Sequence, residues 1–375
     1  MKLRILVVSR SYPAAGNLYQ YPFVHRRVLA YQAAGLDVAV FRPTIGEAAT
    51  YRFDGVECTT GDRRRLETLA ARFRPDVLAI HGLGPATWDS VAPLAGSLPS
   101  AVWLHGSEIP GFLRRKSLLD GASPAMANDL AEQCSAFWRD ALAQTSGPAR
   151  LVFPSETALR YMLDSVDLAA GRWAVIPNPI DTDLFGYEPK RIDQRFRVLL
   201  IRPFDSRCYG NDLAVEAICK LQHRSEFDRF HFRLFGDGPL FPETVQPLRK
   251  LANVVVQRGF LTQSEIAREH RLSGVFLVPT RLDTQGVSRD EAMSSGLVPV
   301  TNAIEPLSEF VDPDCASLVP PDDPDAIASA LLSLANSPDS FRRKSNAAAR
   351  QIRSTRSSQR VLGMDLDLLG GLLQQ

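Results

Sequence analysis

Two acidic residues flank a glycine in a pattern that could bind hydroxyl groups through the acids and an anion through the backbone at the glycine. Asp283 and Glu291 are separated by seven residues, and Gly286 lies between them where a loop meets a predicted helix. A carboxylate suits a vicinal diol because it accepts two hydrogen bonds, so one acid can hold a sugar and the other a ribose. Gly286 lets a phosphate approach the backbone N–H groups of Val287 and Ser288. The alternative is an ordinary strand–loop–helix unit with solvent-facing acids.

Short apolar runs that alternate with amphipathic stretches predict the elements that position these residues. The first half contains predicted buried strands at 5–8, 38–41, 77–80, 101–104 and 151–153. Predicted helices lie between them at 23–34, 64–73 and 125–144. Alternation of this kind, with short connections, indicates a doubly wound α/β sheet whose ligands lie at the carboxyl ends of its strands.

The alternation pauses once and then restarts. Residues 188–194 are polar, include a proline and lack an apolar period, which predicts a linker. After it come a predicted helix at 212–222 and predicted strands at 197–201, 232–235, 254–256, 274–278 and 298–301. The tail from residue 324 is helical by composition. We therefore predict two Rossmann-like domains, 1–186 and 187–375, with the terminal helices in the second.

Composition limits the function classes. A chain of 375 residues is long enough for two domains, and 43 basic against 42 acidic residues give a net charge of +1. That balance argues against nucleic acid as the main partner. Short basic clusters, 63–65, 114–116 and 342–344, are more typical of solvated helix faces, although weak contact with an anionic membrane face stays open.

Cysteine and apolar patterns predict the compartment. The five cysteines are scattered and never paired at metal spacing, which argues for a reducing environment and against a zinc site. The apolar run near the N-terminus is too short for a signal peptide, and no run approaches the ~20 residues that a membrane span needs. We expect a cytoplasmic protein with no metal, and peripheral contact with the membrane is left open.

The segment 283–300 resembles the acidic motif of the retaining GT-B glycosyltransferases of family 4, also called glycosyl transferases group 1. That motif reads Glu-x-x-Gly, four residues, then Glu-Ala-Met-Ala-x-Gly-x-Pro-Val. Asp283 takes the place of the first Glu, Gly286 that of the glycine, and residues 291–300, Glu-Ala-Met-Ser-Ser-Gly-Leu-Val-Pro-Val, supply the rest. The shorter Asp283 retracts its carboxylate by about one C–C bond.

Four other segments match the same family in the same order. Residues 104–108, which include His105, resemble its His-Gly segment, and residues 176–185 resemble its inter-domain Pro-Asn-Gly-Val-Asp signature. Gly236 lies in a Gly-x-Gly-Pro turn, and Gly259 lies in a loop like the one against which the nucleotide base rests. The resemblance covers roughly residues 1–345. It implies a GT-B fold, an N-terminal acceptor lobe, a C-terminal donor lobe and no cofactor besides the nucleotide sugar.

Diphosphate binding needs cations, and here the chain departs from the family. Arg202 matches the family's arginine after the first strand of the second lobe, but Tyr209 stands where the family has a lysine. Arg207 is the predicted substitute because a guanidinium binds phosphate oxygens bidentately; a solvated loop arginine is the alternative. In the first lobe the family often has two glycines after strand one, and only Gly16 is present. Arg26 or Arg27 could touch an anionic acceptor, but an amphipathic helix is the simpler interpretation.

The resemblance assigns roles to these residues. Asp283 and His105 would position the donor sugar, Glu291 would hold the ribose, and the arginines would stabilise the leaving diphosphate. It implies retention at the anomeric carbon and a glycan or lipid-linked acceptor. By association, it also suggests a role in bacterial surface polysaccharide synthesis. A sugar-nucleotide epimerase and a non-catalytic sugar-nucleotide-binding protein are the alternatives. A nicotinamide dehydrogenase is disfavoured because no G-x-G-x-x-G follows strand one.

Overall fold

The computed structural model describes residues 2–44, 46, 48–144 and 149–374, which form two compact units. Unit 1 comprises Met1–Leu118, Ala122–Pro179 and Ser358–Gln375. Unit 2 comprises Leu119–Gly121 and Ile180–Ser357. Each unit contains one mainly parallel sheet with helices packed on it, as the alternation predicts.

Unit 1 contains an eight-stranded sheet in the order β3-β4-β2-β1-β5-β6-β7-β8. Its strands are β1 (Arg4–Ser9), β2 (Asp37–Pro43), β3 (Ala49–Phe53), β4 (Val56–Gly61), β5 (Val77–His81), β6 (Ser100–Trp103), β7 (Ala149–Phe153) and β8 (Trp173–Val175). Its helices are α1 (Pro22–Ala33), α2 (Arg63–Phe73), α3 (Pro85–Ala95), α4 (Pro110–Leu119), α5 (Pro124–Gln144), α6 (Glu156–Leu163) and the last helix of the chain, α14 (Ser358–Leu372).

Unit 2 contains a six-stranded parallel sheet in the order β11-β10-β9-β12-β13-β14. Its strands are β9 (Arg197–Ile201), β10 (His231–Gly236), β11 (Val254–Arg258), β12 (Val275–Leu277), β13 (Val298–Asn302) and β14 (Ser317–Val319). Its helices are α7 (Asn211–Leu221), α8 (Phe241–Val245), α9 (Gln263–Leu272), α10 (Val287–Ser294), α11 (Glu305–Ser308), α12 (Pro324–Asn336) and α13 (Pro338–Thr355).

The central strands are buried on both faces, which explains their continuous apolar sequences. In unit 1, β1 pairs in parallel with β2 on one side and β5 on the other, and its residues from Ile5 to Val8 have no exposed surface. In unit 2, β9 lies between β10 and β12 in the same way. The carboxyl ends of β1, β5 and β6 therefore meet at one edge, and those of β9, β12 and β13 at another.

The last helix packs on unit 1, whereas the sequence pattern assigns it to the second domain. Val361, Leu369 and Leu372 join the apolar core of unit 1. Asp365 accepts hydrogen bonds from Arg27 Nε at 2.7 Å and from the Tyr31 hydroxyl at 3.0 Å. This buried ion pair fixes α14 against α1. Because Arg27 is paired with Asp365, it has a structural role here and not the contact with an anionic acceptor substrate that the sequence allows.

The division between the units falls at Pro179 and Ile180, ahead of the predicted linker. The predicted linker itself is packed on α9. Lys190 Nζ donates to the carbonyl of His270, and Gln194 Nε2 donates to that of Arg271, each at 2.7 Å. These polar side chains therefore satisfy carbonyl groups in the last turn of a helix, which have no partner within the helix.

A hairpin that the apolar pattern does not reveal adds an edge to the first sheet. β3 and β4 are antiparallel and are joined through Asp54 and Gly55, both with positive φ, 46° and 81°. A two-residue Asp-Gly connection of this kind is a strong hairpin signal. The short strands β8 and β14, of three residues each, are likewise absent from the sequence prediction.

Candidate functional site

Arg202 lies directly after β9, at the carboxyl edge of the sheet of unit 2. Its side chain is buried, with the residue 3% exposed. Nη2 donates to Thr280 Oγ1 at 3.1 Å and Nη1 to Ser288 Oγ at 3.4 Å. Its Nε has no hydrogen-bond partner in the part of the chain that the structure describes. The guanidinium thus bridges the segment after β12 and the first turn of α10, and its Nε can still donate a hydrogen bond.

The start of α10 lies beside that guanidinium. Gly286 is the N-cap residue and adopts a left-handed conformation, with φ of 91°. The first N–H groups of a helix have no partner within it, and they carry the positive end of the helix dipole. Because Ser288 in the first turn accepts from Arg202, the arginine and the helix start form one electropositive region suited to an anion. Val287 and Ser288 are half-buried there.

The two predicted acids occupy different surroundings. Asp283 Oδ1 accepts from the backbone N–H groups of Thr284 at 2.8 Å and Gln285 at 3.3 Å, so it also shapes its own loop. Glu291 lies on α10, one turn after the helix start, and is half-buried. The structure therefore places both acids on the loop–helix unit that carries Gly286, as the spacing predicts.

Tyr209 and Arg207 lie on a short 3₁₀ turn, Arg207–Tyr209, that precedes α7. The Tyr209 ring lies 4.8 Å from the guanidinium carbon of Arg202, an arrangement of cation–π type. Burial raises the pKa of Tyr209 well above its usual range, so it faces Arg202 as a neutral phenol. Arg207 is exposed and borders a cavity of about 330 Å³ between α7 and α8.

Arg281 is a cation at this edge that the sequence reasoning missed. It forms a bidentate ion pair with Asp212, at 2.7 and 2.9 Å, and a second ion pair with Asp322 at 2.5 Å. Nη1 also donates to the carbonyl of Arg207 at 3.0 Å. Hydrogen bonds to these carboxylates raise its pKa further. With two acidic partners, Arg281 is neutralised internally and holds the 3₁₀ turn, whereas Arg202 has no such partner in the described residues.

The predicted glycines serve different purposes. A Cβ on Gly236 would lie 2.1 Å from the carbonyl oxygen of Arg202, so this glycine allows the backbone after β9 to approach β10. Gly259 has φ of 131° with open space where a Cβ would be, which suits a ligand-facing loop. Gly16 is exposed, has no positive φ and has open space, so no feature of the backbone requires glycine there.

His105 lies after β6 at the carboxyl edge of the sheet of unit 1. Its Nε2 is 3.2 Å from Nδ1 of His81, and the two rings are stacked with centroids 5.4 Å apart. Tyr21 and Phe23 pack on the same ring. Burial, followed by the positive charge of Arg27, lowers the pKa of His105 to about 3, and burial lowers that of His81 well below its usual range. Both imidazoles are therefore neutral at physiological pH.

Glu108, three residues after His105, organises this edge. Its Oε2 accepts from the backbone N–H groups of His105 at 3.1 Å and Gly106 at 3.0 Å, and its Oε1 accepts from the Tyr21 hydroxyl at 3.0 Å. Its carbonyl oxygen accepts from Trp138 Nε1 at 2.6 Å. The sequence places Glu108 in the His-Gly segment but does not show that its carboxylate fixes the backbone there.

No group of three or more His, Cys, Asp or Glu residues that could hold a metal ion occurs within residues 2–44, 46, 48–144 and 149–374. No helix in those ranges combines the length and the apolar character that crossing a bilayer requires.

Comparison with protein families identifies the chain. Residues 195–337 match the model "Glycosyl transferases group 1", and residues 23–184 match the model "Glycosyltransferase Family 4". The chain belongs to the family 4 glycosyltransferases of the GT-B type. A curated relative, the MMP alpha-(1->4)-mannosyltransferase of Mycolicibacterium hassiacum, is 28% identical over 172 residues. That alignment spans 45% of this chain and 41% of the relative.

Solved structures share the fold of this glycosyltransferase over its whole length. Sucrose-phosphate synthase from Thermosynechococcus elongatus gives a TM-score of 0.76 at 15% identity, with 100% of both chains covered. HepE from Anabaena, solved with UDP and glucose, gives 0.72 at 14% identity and covers 98% of this chain and 100% of its own. An alpha,alpha-trehalose-phosphate synthase from Burkholderia xenovorans gives 0.68 at 15% identity, with 99% of both chains covered. These likenesses confirm the predicted fold.

Proposed function

We propose that this glycosyltransferase moves a sugar from a nucleotide-diphosphate sugar to a glycan or lipid-linked acceptor, with retention at the anomeric carbon. The observation that carries the proposal is the buried Arg202 guanidinium at the start of α10, with an unpartnered Nε and no carboxylate among its described partners. A buried guanidinium without an acidic partner is costly, and an anionic ligand would offset that cost. A diphosphate is the anion that the family resemblance predicts there.

The proposed chemistry depends on the stabilisation of the leaving group. The bond between the anomeric carbon and the diphosphate oxygen breaks while the acceptor oxygen bonds to the same face, and the acceptor proton passes to the departing diphosphate. Negative charge grows on the diphosphate during this step. Arg202 and the N–H groups of Val287 and Ser288 are fixed before the reaction, so they can stabilise that charge without reorganisation. In this proposal arginine supplies the charge that a divalent ion would supply in another enzyme.

The acids and His105 would hold the two sugars of the donor. Glu291 is proposed to bind the ribose hydroxyls, and Asp283 the transferred sugar. His105 is neutral, so its ring can donate a hydrogen bond to a sugar hydroxyl or accept one from it without adding charge. A weak contact with an anionic membrane face is proposed from the short basic clusters, and a role in bacterial surface polysaccharide synthesis is proposed from the resemblance.

Relatives guide the choice of the nucleotide sugars to be tested as donors. HepE was solved with UDP and glucose, and the curated relative is a mannosyltransferase. A thermal-shift panel of UDP-, GDP-, ADP- and dTDP-sugars tests the choice, because a ligand that binds only the folded state raises the unfolding midpoint. We expect one nucleotide class to raise the midpoint in the presence of EDTA.

Donor turnover then separates the proposal from its alternatives. A transferase releases nucleoside diphosphate slowly without an acceptor and faster with one, and it does so in excess EDTA. A sugar-nucleotide-binding protein would bind the donor without release of sugar, and an epimerase would return an altered sugar nucleotide. Loss of transfer in EDTA with recovery in manganese would contradict the proposed role of the arginines.

A further inference from the structure

Three charged side chains are buried at the start of α10, behind the surface that Arg202 and Ser288 form. Arg289 is 1% exposed, Asp290 0% and Arg356 4%. The first two belong to the first turn of α10, and Arg356 is the C-cap residue of α13. We call these three residues the buried arginine network. It contains two guanidinium groups and one carboxylate.

Asp290 is shared by both arginines. Its Oδ1 accepts from Arg289 Nε at 3.0 Å and Nη2 at 2.7 Å, and its Oδ2 lies 3.1 Å from Arg356 Nε. Gln285, in the loop before α10, donates from Nε2 to Asp290 Oδ2 at 3.1 Å. The carbonyl of Gln285 accepts from Arg289 Nη2 at 2.6 Å. The network is thus bonded to the loop that carries Gly286.

Phe310 holds both guanidinium groups in place. The Phe310 ring centroid lies 5.6 Å from the guanidinium carbon of Arg289 and 5.1 Å from that of Arg356, within cation–π range. Arg356 Nη2 also donates to the carbonyl of Phe310 at 3.0 Å. Two like charges are therefore fixed near one another over a single ring, and only one carboxylate pairs with them in the described residues.

The guanidinium of Arg289 lies directly against the N-cap of α10. A Cβ added to Gly286 would come within 3.0 Å of Arg289 Nη1, so the guanidinium touches the glycine from inside the unit. That same Nη1 has no hydrogen-bond partner in the described chain. A side chain at position 286 would press on this guanidinium, and the φ of 91° also favours glycine there.

A second buried guanidinium is hard to explain by stability alone. Burying a charge costs free energy, and one buried ion pair often contributes little net stability. Without Arg356, Arg289 and Asp290 would still form a balanced ion pair, so the second guanidinium adds a net positive charge to the network. At a helix start, however, a fixed positive charge adds to the helix dipole and favours an anion, and the low dielectric of the interior strengthens the effect.

We propose that the buried arginine network is the second cationic component of the diphosphate site, acting through the start of α10 without touching the ligand. The network supplies charge at a site where Tyr209 stands in place of the lysine that the family resemblance predicts. Arg289 and Arg356 are therefore positioning residues that also set the electrostatic potential at Gly286. This inference rests on the proposed function, because it requires a diphosphate at α10.

The test uses two substitutions that change the net charge in opposite directions. Arg356→Gln leaves one guanidinium against one carboxylate, and Asp290→Asn leaves two guanidinium groups with no carboxylate. Calorimetry of the full chain in EDTA would measure binding of UDP, GDP, ADP and dTDP, each beside its uncharged nucleoside. We expect Arg356→Gln to weaken diphosphate binding about tenfold and Asp290→Asn to maintain or strengthen it, with nucleoside binding unchanged.

Matched variants separate charge from structure. Arg353→Gln removes an exposed arginine from α13, the helix whose C-cap residue is Arg356, and should leave diphosphate binding unchanged. Arg356→Lys retains the charge and should keep most of the affinity. If both Arg356→Gln and Asp290→Asn weaken diphosphate and nucleoside binding alike, the network is only structural and the inference is overturned. If Arg356→Gln does not fold, Asp290→Asn decides alone, since weaker diphosphate binding there contradicts the inference.

Failure of the proposed function would look different. The unmodified protein would then bind none of UDP, GDP, ADP and dTDP, and both the site and this inference would be overturned. Binding by the unmodified protein together with equal losses in the two charge variants would overturn the inference and leave the proposed function standing.

Discussion

The carboxyl edges of the two sheets both follow parallel strands, but they differ in how their buried charged groups are satisfied. At the edge of unit 1, Glu108 accepts hydrogen bonds from backbone N–H groups and from Tyr21, and the imidazoles of His81 and His105 are neutral. At the edge of unit 2, Arg202 and Arg289 are buried and each retains an unpartnered N–H group within the described residues. One edge has an acid that is already satisfied, and the other has cations that are not.

This difference shows that a Rossmann-like sheet supplies a location and that side chains decide which ligand can bind there. The buried ion pairs of the two units also differ in their balance of charge. In unit 1, Arg27 and Asp365 form a one-to-one pair that joins α1 to α14. In unit 2, two arginines share Asp290. Balanced charge accompanies a structural contact, whereas excess charge lies beside the proposed anion site.

Arg27→Met should give the largest effect, and it should be confined to stability. Asp365 would remain buried without its ionic partner, which typically costs 3–5 kcal/mol of unfolding free energy. Denaturant unfolding measures that loss. Binding of UDP or GDP per folded molecule should be unchanged, because the pair belongs to unit 1. Lost nucleotide affinity at full stability would contradict the division of roles between the two ion-pair systems.

Arg202→Ala should lower kcat by about 10²–10³, because one fixed group that stabilises developing charge would be missing. Arg202→Lys should recover part of the rate, since a point charge cannot form the guanidinium's two directed hydrogen bonds. Arg207→Ala is the matched control, because Arg207 is exposed and borders the cavity between α7 and α8. Steady-state transfer kinetics compare the three. A loss with Arg207→Ala as large as with Arg202→Ala would support Arg207 as the substitute cation that the sequence predicts.

Glu291→Ala should weaken donor binding by about 2–3 kcal/mol if its carboxylate accepts hydrogen bonds from the ribose hydroxyls. Calorimetry with the nucleotide selected by the thermal-shift panel measures the change. Glu216→Ala, an exposed acid on α7, controls for the loss of one negative charge in the same unit. Equal affinity for the unmodified protein and Glu291→Ala would remove Glu291 from the site.

Lowering the pH should destabilise both units, whereas each of the substitutions above changes one unit. Burial lowers the pKa of His105 in unit 1 and of His270 in unit 2 to about 3, against 6.5 in the unfolded chain. Below pH 6.5 the unfolded chain therefore takes up protons that the folded chain does not, so stability is complete above 6.5 and falls towards pH 3. At pH 5 each histidine should account for about 2 kcal/mol of lost stability.

Denaturant unfolding at pH 7 and pH 5 checks this prediction. His105→Asn and His270→Asn should each flatten the pH dependence by a similar amount, one in each unit. A pH dependence that neither substitution changes would show that these imidazoles are not the groups that remain neutral in the folded state.

Local pattern was sufficient for the regular elements and for the loop–helix unit of the proposed donor site. Apolar runs located the central strands within two residues of their observed ends, and Gly286 with the following residues predicted the start of α10 at Val287 or Ser288. These features depend on neighbours in the chain, because strand burial, helix capping and positive φ are set within a few residues. The order of the motifs was also enough to identify the family.

Tertiary structure decided where α14 packs and which charges are balanced. Arg27 and Asp365 are 338 positions apart, and Arg202 and Ser288 are 86 apart, so no local pattern reports either contact. Charged side chains are rarely buried, and the sequence therefore favours solvent for Arg289 and Arg356. Only the fold, by packing the end of α13 and Phe310 against the start of α10, buries those two arginines around one carboxylate.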